Sequence, residues 1–262
     1  LAFDRIGERS IYRTSVRAAA VSATQLIIQR ASLEMDIGPE EFETLEPRLR
    51  NRKPLLQIAD TLVNGAGFSR RLASLQSTEL FAMRLIESMV HGENDPIANS
   101  FFLGNHPREC ARSCYRCMQR YNNRGYHGLL DWRLGLGFLR SMLDESWMAG
   151  LDGRWSDFPD LADWPDLAAE FAEELRRLAP NEREVKTFGP LNLPVLLRPN
   201  NGVEEAYIMV HPFWRLDEAS LATGALKETI EDLGPRPVYF LDTFEAARRP
   251  VKALEFAKLR PL

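Results

Sequence analysis

Cysteine is scarce in this chain of 262 residues. There are three, all between positions 110 and 117, so no disulfide framework holds the fold. An odd cluster this tight suits a reducing compartment and predicts a cytoplasmic protein. Long apolar runs are missing as well. The most apolar stretch, residues 18–28, is interrupted by Ser22, Thr24 and Gln25, falls short of the roughly 20 residues a bilayer helix needs, and lacks the flanks of a signal peptide. With a mean hydropathy of -0.29, a membrane protein is excluded. The sequence has no G-x-x-x-x-G-K-[ST] loop to hold a nucleoside triphosphate, no histidine in an H-x-K pair and no G-x-S-x-G elbow, so no enzyme activity is expected. Internal repeats and low-complexity tracts are missing too, which excludes a solenoid. The first residue is Leu1 rather than methionine, and the chain is expected to be a piece of a longer polypeptide.

What is present is a globular composition, 45% hydrophobic and 27% charged, with room for one large domain or two small ones. The formal net charge of -4 conceals two opposed regions: residues 106–140 carry +5 and residues 144–184 carry -8. Between them lies a stretch, 151–165, with glycine, two prolines and several aspartates, as in a linker or surface loop. The boundary is therefore placed near residue 150, giving domains 1–150 and 151–262. The expected class is α+β: a helix-rich domain with short strands, then a smaller mixed α/β region that docks a partner.

Periodicity predicts helices over residues 10–29, 68–90 and 129–148, a helix start at Pro39, and strands over 33–37 and 55–60. Asn64-Gly-Ala-Gly67 reads as a turn between the second strand and the long helix. In the second region, helices are expected over 171–178, 218–233 and 245–259, and strands over 194–197, 206–210 and 238–241.

The strongest chemical signal is His106-Pro-Arg-Glu-Cys110-Ala-Arg-Ser-Cys114-Tyr-Arg-Cys117, one imidazole and three thiols within twelve residues, a set suited to tetrahedral zinc. On a continuous helix these positions would form one stripe with ends about 16 Å apart, beyond the reach of a single ion. A shared zinc therefore demands that the backbone turn between Pro107 and Ser113, with Cys114 and Cys117 forming a knuckle that leads into the next helix. His91 and His127 are alternative fourth ligands. Buried core thiols and a redox C-x-x-C are the competing readings.

Around the cluster, Arg108, Arg112, Arg116, Arg120 and Arg124 recur at i, i+4 and would lie side by side wherever the chain is helical. Beside Tyr115, Tyr121 and Tyr126 they offer charge for phosphates and rings for bases, so DNA is a candidate partner; a solvated face paired to carboxylates is the alternative. Three weaker signals are discounted. Asp217-Glu-Ala-Ser220 resembles a helicase acidic box but is better explained as a helix cap. The glycines of residues 64–67 could make an anion nest but more simply make the turn. Asp242, Glu245 and Arg248 do not have the spacing of a metal nuclease.

Cys110, Ser113-Cys-Tyr-x-Cys117, Tyr121-Asn122, His127 and Leu129-Leu-Asp-Trp-Arg-Leu-Gly135, together with Asp60-Thr-Leu-Val-Asn-Gly-Ala-Gly-Phe68, resemble the helicase-associated zinc-binding domain. That domain ends MrfA-type superfamily 2 helicases and occurs in DrmB, a component of the DISARM antiphage system. The likeness spans roughly residues 10–145. It implies a non-ATPase, zinc-binding module that engages DNA with a helicase motor, either the DISARM helicase DrmA as a separate subunit or a motor in the same polypeptide. Many relatives use four cysteines; here the fourth bond falls to His106, with His127 as the alternative.

Overall fold

The computed structural model of the protein describes residues 12–50, 53–62, 64–76, 78–144 and 146–258. Helices and small, mainly antiparallel sheets are mixed in an α+β architecture that gathers into two compact units, one up to residue 144 and one from 146 onward. No described helix is long and apolar enough to cross a membrane.

The first unit is built around α1 (Thr14–Met35). The middle of this helix carries no charge, and Val16, Ala20, Val21, Leu26 and Ile28 are all buried, so neighbours surround it instead of covering one face. It stops at Asp36, whose φ of 56° is left-handed, and the Ile37 N–H reaches back to the Ser32 carbonyl at 3.0 Å. The strand expected over 33–37 is thus the last helical turn and its cap. Its alternation arises because Met35 and Ile37 fold back on the core around Phe42 and Phe81 while Leu33 stays exposed.

Pro39–Glu41 form a single 3-10 turn rather than starting a longer helix. An antiparallel ribbon follows, β1 (Phe42–Arg50) and β2 (Lys53–Asp60), the latter containing the expected strand at 55–60. Nothing in the sequence pattern announced β1. Glu43, Glu46 and Pro47 disguise it, and the pairing shifts register between Leu45 and Arg48, where a residue without an N–H is tolerated.

The long helix expected over 68–90 is two helices, α2 (Phe68–Leu72) and α3 (Phe81–His91), separated by a short ladder of β3 (Leu75–Gln76) and β4 (Glu79–Leu80). The Phe81 N–H donates to the Ser74 carbonyl at 2.9 Å and closes this detour. Leu72, Phe81 and Leu85 enter one core cluster with Ile28 and Phe42, so the apolar pattern survives the break.

After α4 (Pro96–Ser100) and the one-turn α5 (His106–Glu109), the unit closes with α6 (Trp132–Leu143). α6 is shorter than the expected 129–148 because the Asp131 carboxylate caps its start, accepting from the Leu134 N–H at 3.0 Å. It crosses α1 closely at Gly135, where a side chain would lie 2.9 Å from Leu26 Cδ1 and 3.2 Å from the Ser22 backbone. The Asp131 N–H also donates to Ser22 Oγ at 2.8 Å.

In the second unit, α7 (Trp164–Arg177) packs on a sheet of β5 (Glu184–Phe188), β6 (Leu193–Asn200), β7 (Val203–Val210) and β8 (Val238–Asp242) in that order. β5, β6 and β7 are antiparallel neighbours and β8 runs parallel to β7. Val195, Leu196 and Leu197 are buried consecutively, as are residues 206–210, the pattern of strands covered on both faces. β5, a five-residue edge strand, was not expected.

Two expected helices are split. The one over 218–233 becomes α8 (Glu218–Leu221) and α9 (Gly224–Leu233), parted where Gly224 takes a φ of 70°. The one over 245–259 becomes α10 (Thr243–Arg248) and α11 (Pro250–Lys258), because Pro250 drives Arg249 out of the helical region; residue 259 lies outside the described residues. The helix expected over 171–178 starts earlier, at Trp164, with Pro165 in its first turn. The stretch 151–165 is therefore no free linker. Trp155 stacks on Trp164 at 4.9 Å, Leu161 is buried, and the Trp214 indole N–H donates to the Ala149 carbonyl at 2.9 Å.

Candidate metal centre

α5 ends at Cys110, whose φ of -123° and ψ of 86° break the helix and turn the chain back. This is the reversal that a shared ion demands. Further on, the Cys117 N–H donates to the Cys114 carbonyl at 3.1 Å and the Cys114 N–H to Cys117 Sγ at 3.1 Å, a tight knuckle that points both sulfurs the same way. As a result one donor atom from each of His106, Cys110, Cys114 and Cys117 lies within 4.8 Å of all the others. The sulfurs of Cys110 and Cys117 are 3.8 Å apart, those of Cys114 and Cys117 3.6 Å, and Cys114 Sγ is 3.6 Å from His106 Nε2. These are far from the roughly 2.05 Å of a disulfide. The four side chains can hold a metal ion.

The histidine is prepared for that role by its other nitrogen. His106 Nδ1–H donates to the Phe101 carbonyl at 2.9 Å, which leaves the Nε2 lone pair facing the sulfurs. His127 is turned elsewhere: its Nε2–H donates to the Arg120 carbonyl at 2.9 Å and to Asn123 Oδ1 at 3.0 Å. His91 is exposed at the end of α3. His106 is therefore the fourth member of the set, and the two alternatives are not. Cys110, Cys117 and His106 are buried and Cys114 is partly so. The Cys117 thiol is pulled below the ordinary thiol range because Cys110 and the Cys114 backbone N–H both hydrogen-bond its sulfur, while the same contact with Cys117, together with burial, pushes Cys110 up.

No protein-family profile, curated protein or solved structure matches this chain.

The loop that carries the ligands is held from outside by two neighbours on α6, Trp132 and Arg133, for which the ligand spacing gave no signal. The Trp132 indole N–H donates to the Cys110 carbonyl at 3.1 Å, and its ring stacks on Phe101 at 5.3 Å and tilts against His106 at 6.0 Å. Arg133 spreads its guanidinium over three loop carbonyls, those of Cys110 at 3.2 Å, Ala111 at 3.1 Å and Pro107 at 3.0 Å, and sits 4.0 Å from the Trp132 ring centroid. Asp131, just before them, is buried, and burial raises its carboxyl to about 6 against the pull of the Leu134 N–H, Arg133 and Arg112.

The arginine row differs from expectation. The segment is helical only in the single turn of α5 and in a 3-10 turn at Tyr121–Tyr126, so the i, i+4 spacing does not produce a stripe. Arg116 pairs with Glu109 at 2.5 Å and Arg120 donates to the Gln119 carbonyl at 2.8 Å. Arg108 is exposed, Arg112 is half-buried, and Arg124 lies 5.0 Å above the ring of Tyr121.

The discounted motifs have local explanations. Asp217 caps α8 by accepting from the Ser220 N–H at 2.9 Å. In the 64–67 turn, Gly65 and Gly67 have positive φ, and the amides they expose are taken by Asp60, whose carboxylate accepts from Gly67 and Ser69 at 2.7 Å each. The anion of this nest is the chain's own. Asp242 caps α10 at Phe244, and among the described residues no second group of three or more potential ligands draws together as the His106 set does.

Proposed function

We propose that the chain is a non-catalytic, zinc-stapled module that works on DNA beside a superfamily 2 helicase in bacterial antiphage defence. The staple in this reading is carried by the donor set itself. Zinc bound at about 2.3 Å to each sulfur sets tetrahedral sulfur–sulfur edges of about 3.8 Å, and the Cys110–Cys117 and Cys114–Cys117 sulfurs lie 3.8 and 3.6 Å apart. A histidine with three thiolates is a borderline-soft set that suits zinc better than magnesium or calcium. Four protein donors fill the coordination sphere and leave no position for a reacting water, so the ion would staple the loop and not hydrolyse a substrate.

The helicase and DNA parts of the reading are supported by the resemblance of the cysteine knuckle, the Trp132–Arg133 stretch and the Asp60 turn to the helicase-associated zinc-binding domain. The motor would be a DrmA-like subunit or, in an MrfA-type arrangement, part of the same polypeptide, and the setting cytoplasmic. Elemental analysis of the purified chain beside a Cys114→Ser, Cys117→Ser variant tests the staple: one zinc per chain, lost in the variant, is expected, and a metal-free, fully folded wild type would overturn it. Co-purification with a helicase and retention on DNA test the rest. A docking scaffold with the same structural zinc is the second reading, favoured by Arg116 and Arg120 being already engaged within the chain. It predicts helicase capture without DNA retention.

A further inference from the structure

We infer that the segment around Tyr115 and Tyr121 is a stacking platform for single-stranded DNA, an inference that rests on the DNA reading above. Two large rings stand in water here, Tyr115 at 72% exposure and Tyr121 at 80%. Tyrosine side chains normally cover much of that area, so leaving both uncovered six residues apart gives up burial that Tyr126, on the same turn, partly keeps.

The rings are exposed but not loose. Tyr115 meets His127 edge-on at 5.5 Å, and His127 is fixed by its bonds to Arg120 and Asn123. Asn123 is buried and ties the turn to α1, its amide donating to Gln25 Oε1 at 2.9 Å and to the Met118 carbonyl at 2.9 Å. Arg124 lies over one face of Tyr121 and donates to its hydroxyl at 3.0 Å. The platform is thus assembled before any ligand arrives, which lowers the ordering cost of binding.

Charge selects the kind of ligand. Residues 106–127 carry a net +4 in a chain of net -4, and the one carboxylate among them, Glu109, is already paired with Arg116. Exposed rings with arginines around them fit a polyanion whose flat faces are free. In duplex DNA those faces are stacked inside, and this segment has no helix long enough to read a major groove, α5 being a single turn of 4 residues. Unpaired bases offer their faces, and each base stacked on an aromatic ring contributes without regard to its identity.

The test is fluorescence anisotropy of the full zinc-loaded chain with a labelled oligo-dT strand and with a mixed-sequence duplex of the same length. Tighter binding of the single strand is expected. Tyr115→Ala and Tyr121→Ala should each weaken it by about fivefold to 150-fold, Tyr115→Phe should hold it within about twofold, and duplex binding should not move. Arg124→Gln should weaken it and flatten its salt dependence. Both tyrosines are exposed, and zinc content reports that each variant keeps its fold. If wild type binds DNA but the double Tyr→Ala variant binds the single strand equally well, the platform is overturned while the DNA reading stands. If wild type binds neither strand form at low salt, the DNA reading itself falls, and the platform with it.

Discussion

Arg133 offers the sharpest check on how the ligand loop is held. Arg133→Met keeps an unbranched apolar stem but removes the donors to three carbonyls and the guanidinium that sits 4.0 Å from the Trp132 ring centroid. The Cys110 carbonyl retains the Trp132 indole N–H, so the carbonyls of Ala111 and Pro107 bear the loss. Bonds from a charged donor contribute about 1.5 to 3 kcal/mol each, and these two oxygens are only partly buried and recover some of that from water. The net cost is about 3 kcal/mol, or about a 10 °C fall in the melting temperature of a unit of this size. Because the loop carries the ligands, zinc affinity should also fall, by about 10 to 100-fold. Competition against a chromogenic chelator reads the affinity and calorimetry reads the melting point. Arg133→Lys, which brings a point charge in place of the planar fork, should fall between the two. Unchanged zinc affinity and melting temperature in Arg133→Met would refute the claim that this side chain holds the loop.

Three further outcomes are expected. Gly189→Ala should destabilise the second unit by at least about 2 kcal/mol, because Gly189 has a φ of 72° and a methyl there would meet the Thr229 side chain and come within 2.9 Å of its Cα; a urea midpoint equal to wild type would contradict this. The Asp131 carboxyl is raised from 3.8 to about 6. Between those values the folded chain holds more protons than the unfolded one, so this contribution to stability is complete below about pH 4 and is lost as pH rises through 6. Asp131→Asn keeps a capping oxygen without the charge. Relative to wild type it should gain up to about 3 kcal/mol between pH 4 and pH 7, and a pH-independent difference in unfolding free energy would argue against the buried charge. Zinc loading should remove all three thiols from reaction with a disulfide reagent, and adding a chelator should return them; three thiols that react at once in zinc-loaded protein would place the ion elsewhere.

Residue chemistry made the candidate metal site legible. Three thiols and an imidazole within twelve positions named their own partners, and the reach of one ion required the chain to reverse, which it does at Cys110. The sequence put His106 ahead of His127, and what decides between them are contacts it does not carry, namely the Phe101 carbonyl on one side and Arg120 with Asn123 on the other. Arg133 was hidden for a similar reason: its partners are backbone oxygens, and every residue has one. In the fold, α1 and the buried strands β6 and β7 could be read because burial alone selects their residues. β1 could not, since its ribbon is largely exposed and Pro47 interrupts the pattern. The broken helices share one lesson. Apolar period survives a detour or a proline, so periodicity reports which side faces inward and says little about where the backbone stops being helical.

The close crossing of α1 and α6 has a consequence for how the first unit comes into being. Ser22 and Asp131 are separated by 109 residues. During synthesis at roughly 5 to 20 residues per second, α1 would wait on the order of 5 to 20 seconds before the helix that closes over it has left the ribosome. Throughout that interval the side of its uncharged middle that α6 will cover, around Ser22 and Leu26, stays open, and the cysteine segment emerges before the tryptophan and arginine that clasp it. The nascent chain is therefore most exposed to aggregation and to thiol oxidation over the same stretch of translation, and pausing within codons 110–130 would lengthen both hazards together.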